Sequence, residues 1–103
     1  MTDGLRARRE SMRWNVLVTL NKARPYTSNE ILLLDMMRAI YPNTTELDLR
    51  RELDYLADHQ MIALVKPPSG IWFADLIPLG ADLVAYSVEC CPGIARPEKY
   101  WRE

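Results

Sequence analysis

Apolar residues recur at the spacing of an α-helix in the first part of the chain. Met12, Val16 and Leu20 lie four residues apart, which predicts a first helix over residues 5–21. The next apolar stretch, residues 28–41, is hydrophobic on most sides of a helical wheel. A helix of that kind packs against several neighbours, so we expect a second helix at the centre of the fold.

Two capping boxes mark the predicted starts of the second and third helices. A hydroxyl at the N-cap and a carboxylate three residues later satisfy two free backbone amides. Thr27 with Glu30, and Thr45 with Asp48, both have this spacing. The third helix is predicted over residues 45–60. Four of its side chains share the face that we expect to point into the core: Leu49, Leu53, Leu56 and Gln60.

The period of the apolar pattern changes after the third helix. Residues 61–65 and 71–76 are short β-prone runs on either side of turn residues 66–70, which predicts a two-stranded hairpin. A last helix is predicted at about residues 79–89. We expect the core to centre on six side chains: Leu33, Met37, Leu49, Leu53, Leu56 and Trp72.

The predicted elements define one small domain. The chain has 103 residues, enough for a single hydrophobic core. Its order, helix-helix-helix-strand-strand-helix, gives a mainly α fold with a two-stranded β-hairpin and is typical of a winged helix-turn-helix domain. We assign residues 1–93 to this domain and residues 94–103 to a C-terminal tail. The second and third helices form the expected helix-turn-helix, and residues 66–70 form the tip of the wing.

Several local motifs resemble known winged-helix proteins. LDYLADHQMI at residues 53–62 and LIPLG at 76–80 are similar to the stretches that flank the wing in winged-helix regulators. The chain more closely resembles a family of small winged-helix proteins of Mu-like phages and prophages. This resemblance covers most of residues 12–97 and rests on three stretches: YTSNE at 26–30, LRRELDYL at 49–56 and PGIARP at 92–97. It implies a winged-helix fold and a phage or prophage origin.

The reactive side chains argue against an enzyme. The one histidine, His59, and the adjacent Cys90 and Cys91 lack the spacing of a zinc site. The chain contains no phosphate-binding loop and no nucleophile elbow. We therefore expect no catalytic residue, no metal and no cofactor. With neither a signal-peptide pattern nor a long apolar run, we expect a cytoplasmic protein without membrane association.

The charge of the third helix bears directly on whether the domain can bind DNA. We expect a DNA-binding regulator of transcription that contacts double-stranded DNA through the third helix, residues 45–60, and the wing, residues 66–70. The candidate contacts are Thr44, Thr45, Arg50, Arg51 and Lys66. Residues 45–60 also carry five carboxylates against two arginines, which opposes a phosphate backbone. The alternative is that both arginines pair with carboxylates of their own helix.

The second hypothesis is a protein-interaction or phage assembly module that does not bind DNA. Its partner would be a second copy of the chain or another phage or host protein. The acidic third helix, the outward positions of Leu47 and Tyr55 on it, and the aromatic residues of the tail favour this hypothesis. The candidate contacts, on the first helix and the tail, are Trp14, Val18, Tyr100 and Trp101. They predict a homodimer held by these two segments.

Overall fold

A computed structural model describes residues 2–99 of the chain. Within these residues the fold is α+β and mostly helical, with four helices and a three-stranded antiparallel sheet. In chain order the elements are α1 (Asp3–Ala23), β1 (Ser28–Asn29), α2 (Glu30–Ile40), α3 (Glu46–Asp58), β2 (Ile62–Val65), β3 (Phe73–Leu76) and α4 (Pro78–Val84).

The sheet contains a strand that the sequence pattern does not predict. The hairpin of β2 and β3 is present, but β1 pairs antiparallel with the other edge of β3, so that Ser28 lies opposite Ala74. The expected two-stranded sheet is therefore wrong in strand number. β1 has two residues, too few to show an alternating pattern. The Glu30 N–H extends the contact by donating to the Trp72 carbonyl oxygen at 2.8 Å.

The helix ends agree with the capping prediction at α3 but not at α2. Thr45 is the N-cap of α3, and its capping box with Asp48 is complete. At α2 the N-cap is Asn29, whose side-chain oxygen accepts from the Leu32 N–H, so the box predicted from Thr27 is wrong. The Thr27 hydroxyl instead donates to the Asp75 carboxylate. α4 ends at Val84, five residues before the predicted end.

The core lies where α1 crosses the other helices and the sheet. Five of the six side chains expected at its centre are buried: Leu33, Met37, Leu49, Leu53 and Leu56. The sixth, Trp72, is half-buried and packs at the edge of the core. Gln60 is not on the core face as predicted. It is exposed and adopts a left-handed conformation, with φ of 64°, directly after α3.

α2 is more exposed than its sequence predicts. It packs on α1, α3 and β1 through Leu33, Leu34 and Met37. Its other side exposes four large apolar side chains, between 44% and 54% accessible: Ile31, Leu32, Met36 and Ile40. The expectation of a helix surrounded on most sides is therefore wrong.

Leu53→Ala tests the orientation of α3. Leu53 is 1% exposed, so removal of its buried methyl groups should lower the free energy of unfolding by about 2–5 kcal/mol. Leu47→Ala, on the same helix but 59% exposed, is the matched control and should change it by about 0.5 kcal/mol or less. Urea denaturation followed by circular dichroism measures both. Equal effects of the two substitutions would contradict this orientation.

Candidate nucleic-acid interface

The N-terminus of α3 already holds a carboxylate. The Thr45 hydroxyl accepts from the Asp48 N–H at 3.1 Å, and the Asp48 carboxylate accepts from the Thr45 N–H at 3.0 Å. The hydrogen bond from the Thr45 amide lowers the pKa of Asp48 below its ordinary value, and the nearby charge of Arg51 contributes to a smaller extent. A phosphate approaching this helix end would meet an ionised carboxylate.

Thr44 faces the interior. It is 2% exposed, and its hydroxyl donates to the Tyr41 carbonyl oxygen at 2.7 Å. The same hydroxyl accepts from Arg8 at 3.3 Å, while the Thr44 carbonyl oxygen accepts from Arg38 at 2.9 Å. Thr44 therefore fixes the turn between α2 and α3 and does not present its hydroxyl to solvent.

Arg50 pairs with a carboxylate of another helix. Two of its nitrogens donate to the two carboxylate oxygens of Glu30, at 2.8 and 2.5 Å. The guanidinium also donates to the Gly70 carbonyl oxygen at 2.6 Å and lies 4.5 Å from the centre of the Trp72 ring. The alternative of a pair within α3 is thus replaced by a link from α3 to α2 and the hairpin.

Glu30, the buried partner of Arg50, is kept in its ionised form by its hydrogen bonds. Glu30 is 7% exposed, and one of its oxygens also accepts from the Trp72 N–H at 2.9 Å. The hydrogen bond from Arg50, followed by that from Trp72, lowers the pKa of Glu30, although burial acts in the opposite direction. The carboxylate is therefore ionised at neutral pH and neutralises Arg50.

Lys66 forms an ion pair within the domain, whereas Arg51 is exposed to solvent. Lys66 at the base of the hairpin loop forms a 2.8 Å ion pair with Asp54 of α3 and lies 4.3 Å from the centre of the Trp72 ring. Arg51 is exposed on the outward side of α3 and, with Arg8, lines a small cavity of about 50 Å³ between α1 and α3.

The arginines of α1 enclose a buried carboxylate of α3. Arg9 and Arg13 each bind one oxygen of the Glu52 carboxylate at 2.7 Å, and Glu52 is 2% exposed. Arg13 is buried too, at 8% exposure. The signal was available in the spacing, because Glu52 lies three residues after Leu49 and four before Leu56, both on the core face.

Arg13 also connects α1 to the C-terminal segment. Its Nη1 donates to the Gly93 carbonyl oxygen at 2.8 Å, and its guanidinium lies 3.6 Å from the centre of the Tyr55 ring. The ring of His59 stacks on the Tyr55 ring, with the two ring centres 4.0 Å apart. Gly93 itself has a φ of +99°, which a side chain rarely allows.

The residues expected at a dimer contact are partly engaged within the chain. Trp14 is half-buried and meets Tyr86 edge to face, with ring centres 6.1 Å apart. Val18 is half-buried. Tyr100 and Trp101 lie outside the described residues. The part of the tail that is described packs on the domain, because Ile94 is 7% exposed.

A groove of about 370 Å³ separates α2, the start of α3 and the hairpin tip. Apolar walls from Ile31 and Ile71 combine with the carboxylates of Asp35 and Glu46. Arg38 and Arg50 also line it, so on the expected DNA-facing side of the domain this groove presents apolar groups and charges of both signs.

The remaining chemical features concern metal binding, membrane crossing and thiol reactivity. Within residues 2–99 no three histidine, cysteine or acidic side chains are grouped to hold a metal ion. No helix in this range has the length and apolar character that a membrane crossing requires. Cys90 and Cys91 are free thiols, and burial raises the pKa of Cys90, which disfavours its reactive thiolate.

Comparison with known proteins identifies no relative. The chain matches no protein-family model, no curated protein and no solved structure.

Glu30→Gln tests the pairing of α2 with α3. Folding lowers the pKa of Glu30, so its contribution to stability is complete above the unfolded value of about 4.3 and is lost as pH falls through the folded pKa. At pH 7 the variant should melt about 4–8 °C below the parent, because it lacks the ionised acceptor.

The same comparison at about pH 3 should show a smaller difference, because below the unfolded pKa protonation of the unfolded chain removes part of the stability that the ionised Glu30 contributes to the parent. Glu98→Gln, which removes a carboxylate at an exposed position, provides the baseline at each pH. A difference between parent and Glu30→Gln that does not change with pH would contradict the assigned role of the carboxylate.

Proposed function

We propose that the chain is a small winged-helix protein of the phage or prophage type that works as a protein-interaction or assembly module and does not read DNA. The winged-helix part of the proposal is supported by the succession of α2, α3 and the antiparallel hairpin of β2 and β3. The phage or prophage origin rests on the sequence resemblance. A cytoplasmic location and the lack of catalytic activity and cofactor belong to the same proposal.

The observation that carries the proposal is the internal neutralisation of the candidate DNA-binding groups. DNA affinity comes largely from cations that replace the counterions of the phosphates. Arg50 is instead bound by Glu30, and Lys66 by Asp54. The Asp48 carboxylate accepts the hydrogen bond of the Thr45 amide at the start of α3. A duplex placed along α3 would have to displace these carboxylates or lie beside them.

Exposed apolar side chains support the positive half of the proposal. Leu47 on α3 is 59% exposed, and the open side of α2 adds Leu32, Met36 and Ile40. Contiguous exposed apolar surface is a common mark of protein contact sites, whereas phosphate contact requires cations and polar groups. Leu47 lies on the helix that a winged-helix reader turns towards DNA, and α2 adds a second apolar surface suited to contact with another protein.

DNA binding is the second candidate function, and Arg51 is the observation that favours it. Arg51 projects from the outward side of α3, and the exposed Arg6 lies on α1, whose Arg8 lines the same small cavity as Arg51. These side chains could reach phosphates at one end of α3. Asp48 lines this cavity with Arg8 and Arg51, however, and its negative charge weakens their attraction for phosphate.

A titration against a labelled mixed-sequence duplex distinguishes the two functions. At about 50 mM salt we expect no saturable change in fluorescence anisotropy, because few cations are available to release counterions. Saturable binding that weakens between about 50 and 200 mM salt and is lost in Arg51→Glu would overturn the proposal. An unchanged melting temperature of that variant would show that the loss is not caused by unfolding, since an exposed arginine contributes little to stability.

A further inference from the structure

The outward side of α2 carries an apolar stripe at helical spacing. Leu32, Met36 and Ile40 follow one another at intervals of four residues and are 45%, 44% and 50% exposed. Ala39 lies beside them and is also exposed, which allows another backbone to approach closely. This set of four residues is referred to below as the α2 stripe.

The α2 stripe is unpartnered over the part of the chain that the structure describes. α2 packs on α1, α3 and β1 through its opposite side, where Leu33 and Met37 are fully buried. The stripe therefore leaves apolar surface in water along nearly the whole 11-residue helix. Burying that surface against another protein would be favourable in proportion to the area removed from water.

The charges beside the stripe indicate which protein fits it. Asp35 and Arg38 lie on the same flank of the stripe, three residues apart, and have opposite charge. Arg38 is oriented by its Nε, which donates to the Thr44 carbonyl oxygen at 2.9 Å. Among residues 2–99 no carboxylate pairs with Arg38 and no cation pairs with Asp35. A complementary partner must supply a cation opposite Asp35 and a carboxylate opposite Arg38.

A second copy of the chain meets both requirements. We infer that two chains associate through the α2 stripe, with their α2 helices antiparallel about a two-fold axis near Met36. In that arrangement Leu32 of each copy faces Ile40 of the other. A two-fold contact is self-complementary, so Asp35 of each copy lies at nearly the same height as Arg38 of the other, on the same flank. The pair of opposite charges is thereby formed twice.

The size of the helix limits the strength of this dimer. Eleven residues span about 16 Å, so the contact belongs among the small interfaces that exchange readily. We expect dissociation in the micromolar range. The inference rests on the proposed function in naming the partner of the interaction module, and it places the contact on α2, away from Trp14 and the tail.

Sedimentation equilibrium of the full chain between about 1 and 200 μM provides the first test. The average mass should rise from one chain towards two with concentration. Met36→Glu, which puts a charge at the two-fold axis, should remain at the mass of one chain throughout. Val65→Glu makes the same kind of change at an exposed apolar residue of β2 and should dimerise like the parent. Circular dichroism spectra and melting curves confirm that each variant is folded.

A charge exchange provides a test that an unspecific apolar contact would not pass. Asp35→Lys alone places like charges opposite each other in a homodimer, and so does Arg38→Glu alone, so each should dimerise at least tenfold more weakly than the parent. An equimolar mixture of the two variants restores both pairs of opposite charge. Its association should therefore return towards that of the parent and should weaken with added salt.

Three results would overturn the inference. The first is a mass of one chain for the parent over the whole concentration range. The second is a dimer that survives Met36→Glu and is lost on deleting residues 100–103, which would place the contact on the tail. The third is failure of the mixed variants to associate better than either alone. A monomer that does not bind the duplex would remove the second copy as partner and leave the proposed function standing, whereas duplex binding would remove the proposed function itself.

Discussion

The carboxylate of Glu52 sets how α1 crosses α3. It lies on the core face of α3 at 2% exposure, where a lone ionised group would be very unfavourable. Arg9 and Arg13 of α1 must therefore stand directly over it. Buried ion pairs add little net stability compared with apolar packing, but removing one partner leaves a charge without compensation. This directional requirement selects one register of α1 on α3 among the many that leucine packing would tolerate.

Much of the fold follows from the sequence because local signals and tertiary packing agree there. α3 is the best case, since its capping box and its leucine spacing both describe the observed helix. The predicted core position of Gln60 is wrong because α3 ends before it, with His59 as the C-cap, so a helical wheel does not describe this residue. β1 was missed because it is defined by its partner β3, which lies more than forty residues away, and two residues carry no period of their own.

The side-chain environment is harder to predict, because hydrophobicity shows which residues suit a core but not how many neighbours surround a helix. α2 has enough apolar residues to be buried all round, yet it is covered on one side only. The same limit applies to the candidate DNA contacts. Residue type alone makes Arg50 a reasonable phosphate ligand, and its partner Glu30 is twenty residues away on another helix. A charge count along α3 recognises the acidic balance but not which cations remain available.

Gly93 makes the docking of the C-terminal segment sensitive to a position that has no side chain. A Cβ atom there would run into the hydroxyl of Tyr55, whose ring is held between Arg13 and His59 and cannot easily turn away. The backbone conformation excludes other residues on separate grounds. Beyond Gly93 the segment docks through further contacts, because the Ala95 N–H donates to the Glu10 carbonyl oxygen at 3.2 Å and Arg96 donates to the carbonyl oxygens of Leu83 and Val88. A side chain at position 93 would therefore displace a segment whose own residues are unchanged.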